Sequence, residues 1–134
     1  MWVALDRQRY GRVLNRMALA MLRRQRQRGA DFTMKEVMDA VHAAFLASKG
    51  CDPYDGGPLD ASLLVGSEPC LPSGRRHDDE RLRRQPALVI AGDPLACFYD
   101  VVSRQTAQAK GELAADDYIA HCRAVAAMAA RGPA

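Results

Sequence analysis

Apolar residues recur at helical spacing over residues 9–28, where Tyr10, Val13, Leu14, Met17, Met21 and Leu22 make one stripe. That spacing predicts a helix closed by Gly29. A second stripe, Met34, Val37, Met38, Val41 and Phe45, predicts another helix, which Gly50 is expected to stop. Its start is marked by T-M-K-E at 33–36, a capping box in which Thr33 accepts from the third amide and Glu36 reaches back. The period then breaks. CDPYDGGPLD, residues 51–60, is dense in turn formers, and residues 66–86 read as a long irregular loop. Two β-rich runs follow, 87–91 and 95–102, and the Gly-Asp-Pro between them reads as a tight hairpin connection. A short helical stretch runs through Ala109. A last helix over 115–131 places Tyr118, Ile119, Cys122, Val125, Ala126 and Ala129 on one face. Asp116 and Asp117 suit its positive N-terminal end. The pattern predicts a mostly helical α+β fold with a small antiparallel β-hairpin.

Length and composition frame this as a single domain over 1–134, with a basic N-terminal helix in 1–32 and the remaining elements in 33–131. The chain is 49% apolar and 26% charged, an ordinary globular composition. No apolar run approaches the roughly 20 residues that span a bilayer, and MWVALDRQRYGR has no apolar core after a basic start. The expectation is a cytoplasmic protein with no membrane partner. Cys51, Cys70, Cys97 and Cys122 are widely spaced with no C-x-x-C pair, which favours buried free thiols over a zinc knuckle or a disulfide framework.

Charge changes the picture. Residues 1–30 hold eight arginines against Asp6 alone, +7, so the remainder carries −4 within a chain total of +3. Only Lys35, Lys49 and Lys110 are lysines among 19 basic residues. Arginine favours bidentate contact with phosphate or carboxylate; a GC-rich genome gives the same bias. Arg12, Arg16, Arg23 and Arg26 project away from the apolar stripe; with Arg24 they read either as a solvated face or as a surface for nucleic acid or an acidic partner.

The order of elements is itself informative. A helix precedes D-P-Y-x-G-x-P-L, then come a variable loop, a β-hairpin, S-R-Q-T-A-Q-A-K-G-E-L and a helix containing D-D-Y-I-A-H-C-R. Over residues 49–127 this resembles the HNH endonuclease family, in a bacterial branch with a D-P-Y-[ST]-G-x-x-L element and a later S-W-R-T-N-x-x-K segment. Asp52, Pro53, Tyr54, Gly56, Leu59, Ser103, Thr106, Lys110, Leu113, Tyr118 and Cys122 fall where that pattern expects such residues. The resemblance implies an HNH-like strand–strand–helix element around a divalent metal, with a histidine that deprotonates the attacking water and a metal that polarises the phosphate. Where the family reads Asp-His this chain has Asp93-Pro94, and the later asparagine falls on Ala107. Asp93 remains a candidate metal ligand; Pro94 has no titratable group and Ala107 offers no ligand.

Carried over residue by residue, the resemblance implies a catalytically inactive nuclease-like domain acting as a nucleic-acid-binding or protein-interaction module, needing no cofactor. DNA or RNA would be met by the five helix arginines and by Arg75, Arg76, Arg81, Arg83 and Arg84 of the loop. Two alternatives stand beside it. One is an active magnesium- or manganese-dependent endonuclease with relocated ligands drawn from Asp93, His77, Asp78 and His121. The other is an assembly protein without nucleic-acid contact, whose Met17, Met21, Met34 and Met38 line a core or a partner groove. His77-Asp78-Asp79-Glu80 reads as a solvated charge run, and His42 as a packed or half-exposed histidine. CDPYDGGPLD itself reads as an architectural corner: Tyr54 supplies a buried ring, Gly56-Gly57 reverse the chain, Leu59 returns to the core, and Asp52, Asp55 and Asp60 bond turn amides. Its aspartates lack the alternating ligand pattern of a calcium loop.

Overall fold

Helix α1 (Arg7–Arg26) buries Val13, Ala18, Met21 and Leu22 along the expected stripe. It closes in a Schellman motif, in which Ala30 N–H bonds to Gln25 O and Gly29 N–H to Arg26 O, both at 3.0 Å. Gly29 makes that possible at φ 94°. The computed structural model describes residues 7–60, 80–93 and 95–132. Helix α2 (Met34–Ala47) begins with the capping box as read: Thr33 Oγ1 accepts from Glu36 N–H at 3.1 Å, and Glu36 Oε1 accepts from Thr33 N–H at 2.9 Å. It ends at Ala47, earlier than expected. Ser48 is extended at ψ 132° and closes the helix with its own N–H. Gly50, at φ 85°, opens the following corner instead.

That corner is pinned by an isolated antiparallel bridge between Cys51 and Pro58. After it, Glu80–Arg84 forms a 3₁₀ turn inside the stretch expected to be irregular. Strands β1 (Pro86–Ile90) and β2 (Tyr99–Ser103) pair antiparallel, Pro86 opposite Ser103 and Ile90 opposite Tyr99. The hairpin is real but not tight. Ala91 N–H bonds to Phe98 O at 2.8 Å, so an eight-residue loop, 91–98, joins the strands. The second strand starts at Tyr99 rather than 95 because Ala96 O is held by Gln25 Nε2 of α1 at 2.9 Å, away from the ladder. Helices α3 (Arg104–Lys110) and α4 (Ala115–Ala130) follow.

The mostly helical α+β architecture is therefore the one the pattern predicts. Its core joins Val13, Ala18, Met21 and Leu22 of α1 to Val37, Val41, Ala44 and Phe45 of α2, with Leu88, Tyr99 and Val101 from the sheet and Leu59 from the corner. Tyr10 lies edge-on to Phe45, ring centres 5.9 Å apart, while its hydroxyl meets His42 Nδ1 at 2.6 Å. His42 is exposed beside that stripe. Helix α4 differs from the others: none of its residues is buried.

Candidate nucleic-acid interface

Two neighbouring structures have to be told apart, the corner at 50–60 and the end of the hairpin. The corner is built from Asp52, which is 1% exposed. One carboxylate oxygen accepts from Tyr54 N–H at 2.7 Å and the other from Ser103 N–H at 2.9 Å. Burial alone would raise this carboxyl. Bonds from Thr106, Ser103 and Tyr54 outweigh it and hold it below the usual carboxylate range. Ser103 in turn caps α3, accepting from Thr106 N–H at 3.1 Å. The hydrogen bonds of Asp52 are thus all directed at the fold.

Asp55 and Arg84 form the outer half of the corner. Arg84 donates from Nη1 to Asp55 Oδ2 at 3.0 Å and from Nε to Pro58 O at 2.7 Å. Asp55 Oδ1 also accepts from Gly57 N–H at 2.7 Å. A Cβ at Gly57 would stand 2.6 Å from the Arg84 guanidinium, so the glycine is what lets the arginine lie down. Arg84 is held by these bonds as a clamp on the corner. One expectation is corrected here. Tyr54 is half-buried, its ring packed edge-on against Tyr118 at 5.5 Å rather than sunk in the core.

The α1 arginines are where the helical pattern puts them. Arg12, Arg16, Arg23, Arg24 and Arg26 are all exposed. Arg26 also donates to Phe32 O at 3.2 Å. Arg83 is exposed near the corner. Arg75, Arg76, His77, Asp78, Asp79, Pro94 and Cys70 lie outside the described residues. The cysteines expected to be buried are not: Cys51 and Cys122 are exposed and Cys97 is half-buried.

Asp93 is occupied with its own turn. Its Oδ1 accepts from Leu95 N–H and its carbonyl from Ala96 N–H, both at 2.8 Å. Beside it, a cavity of about 50 Å³ is walled by Leu88, Val89, Ile90 and Gly92 of the hairpin, by Ala107 and Lys110 of α3, by residues 111–114, and by Arg24 and Arg28 of α1. Gly92 and Ala107 sit next to, and at, the positions where the resemblance implies metal ligands. The lining does not suit a divalent cation, which takes oxygen ligands. It holds three cationic side chains and one acid, Glu112, which is ion-paired with Arg28. Among the described residues, no three of His, Cys, Asp or Glu converge on a point that would hold a metal ion.

Lys110 is the side chain that sequence reading left without a role. It is 4% exposed, and its ammonium donates to Leu113 O at 2.6 Å. Burial first, and the like charge of Arg24 after it, push this ammonium below the ordinary lysine range, against the pull of Asp100. Asp100 is moved the opposite way: burial raises it and Lys110 draws it back. No described helix is long and apolar enough to cross a membrane. Comparison with protein-family models, curated proteins and solved structures returns no match to this chain.

Proposed function

We propose that this chain is a nucleic-acid-binding module built like an HNH nuclease and lacking its chemistry. One observation carries the reading. The cavity lined by Gly92 and Ala107, where a nuclease of that kind would gather carboxylate, histidine and asparagine around a metal, is instead lined by Arg24, Arg28 and Lys110. Such a site attracts phosphate oxygens and repels the metal. Two further features support it: the strand, strand, helix order of β1, β2 and α3, and the exposed arginines of α1, of which Arg24 lines the cavity, as does Arg28 just after the helix.

The mode of binding follows from the groups present. Arginines on a helix surface contact the phosphate backbone and carry little base information, so recognition is tolerant of sequence and sensitive to salt. A protein-interaction role draws separate support from α4, whose Ile119, Val125 and Met128 are exposed.

Fluorescence anisotropy with labelled single- and double-stranded DNA and with RNA tests this. Affinity should fall steeply between 50 and 200 mM salt, as counterion release requires, and changing Arg24 or Arg16 to Ala should lower the log–log salt slope by about 1 each. Absence of binding at the lowest salt removes the nucleic-acid reading. Magnesium- or manganese-dependent nicking of plasmid DNA by the purified chain replaces the inert scaffold with an active one.

A further inference from the structure

We propose that the cavity between α1, the β1 end and the α3–α4 connection is a pocket for a terminal phosphate, the monoester group at a nucleic-acid end rather than a diester within the strand. This deepens the reading above and rests on it for the polymer that brings the phosphate.

Geometry carries the assignment. Lys110 lines the cavity while 96% of it is shielded from solvent, since it is only 4% exposed. An ammonium has three N–H donors. One goes to Leu113 O, and among the described residues no hydrogen bond takes the other two. Arg24, at the same cavity, has no hydrogen bond or ion pair among the described residues. Arg28 is matched by Glu112. The lining thus holds three cations and one anion, an excess of +2. A phosphate monoester carries about −1.5 to −2 near neutral pH, whereas a diester carries −1.

Size and shape point the same way. The cavity is small, about 50 Å³. Strand β1 borders it through Leu88, Val89 and Ile90. A diester must leave such a pocket on two sides, a monoester on one. Arg24 supplies the planar fork that matches two phosphate oxygens, and Lys110 supplies a point charge behind them. Asp100, outside the lining, acts on the lysine without competing for the anion.

The test uses the intact chain and one oligonucleotide sequence, labelled internally, with a 5′-phosphate, a 3′-phosphate or hydroxyls at both ends. One phosphorylated form is expected to bind about tenfold more tightly than the hydroxyl form, a difference of about 1.4 kcal/mol. Inorganic phosphate should erase that preference at concentrations where equal ionic strength of chloride does not. Arg24→Ala, at an exposed position, should reduce the preference; Lys110→Met should abolish it. Equal affinity for all three ends overturns the pocket and leaves the nucleic-acid reading standing. Protection by inorganic phosphate in a thermal melt, with no oligonucleotide bound, leaves the pocket standing and removes that reading.

Discussion

Asp52 and Ser103, 51 positions apart in the chain, are joined by a hydrogen bond from the Ser103 amide to an Asp52 carboxylate oxygen at 2.9 Å. The bond ties the glycine-rich corner to the point where β2 becomes α3. Because Ser103 also caps α3, one buried carboxylate sets the entry of the helix that carries Lys110 to the cavity.

Removing that carboxylate should be costly. Asp52→Ala leaves the amides of Tyr54 and Ser103 without their acceptor, and the expected loss is roughly 3 kcal/mol in urea unfolding. The pH dependence has a definite sign. The folded carboxyl lies below its unfolded value of about 3.9, so its contribution is complete above that value and is lost as pH falls through the lower folded one. The difference between wild type and Asp52→Ala should shrink below about pH 4. A difference that grows with acid would contradict the assignment.

Gln25 should matter as much as any apolar core residue of α1. It is fully buried, receives Tyr99 Oη–H at 2.5 Å and donates to Ala96 O. Gln25→Leu strands a buried hydroxyl and a carbonyl, at a cost of about 2 kcal/mol. Hydrogen exchange should accelerate across 91–98 more than in α2. Equal protection throughout would mean that the loop is held by something else.

Helix α4 should be the least protected of the four helices. It buries no residue, and its apolar face is largely bare, with Val125 55% exposed and Met128 63% exposed. Its first-turn aspartates favour the helix by a few tenths of a kcal/mol each, less than packing gives the others. Amide exchange in 119–130 should run at least tenfold faster than in α2. A chain ending at Leu113 should keep the thermal midpoint of the rest within a few degrees. A collapse of that midpoint would show α4 to be part of the core.

How much of this was legible in sequence depends on how local each cause is. The Thr33–Glu36 box and the Gly29 cap are chemistry within a few residues, and both were read correctly. The sheet was visible because Ala87–Ile90 and Tyr99–Val102 are rich in β-branched and aromatic residues. Its loop length was not, because the contact that shortens β2 comes from Gln25, some 70 residues away. Arg84 looked like a loop cation because charge runs are usually solvated; its partners, Asp55 and Pro58, lie 29 and 26 positions back. The cationic cavity draws on α1, the hairpin and the start of α4's connection, and no window of sequence contains it.

Lys110→Met separates stability from binding. The folded ammonium lies below the unfolded value of about 10.4, so between the two values the unfolded chain binds more protons and stability rises with pH. Below that window the buried charge is a standing cost. Methionine has similar length and no charge to desolvate at this buried position. At pH 7 the variant should therefore melt at the wild-type temperature or a few degrees above it, and the gap should close as pH climbs toward about 10. Its affinity for nucleic acid should nonetheless fall, because a cation is gone from the cavity. A variant that melts well below wild type at pH 7 would mean that the Leu113 bond anchors the α3–α4 connection. Lys110 would then be part of the fold, and the cavity would lose the cation on which its binding role rests.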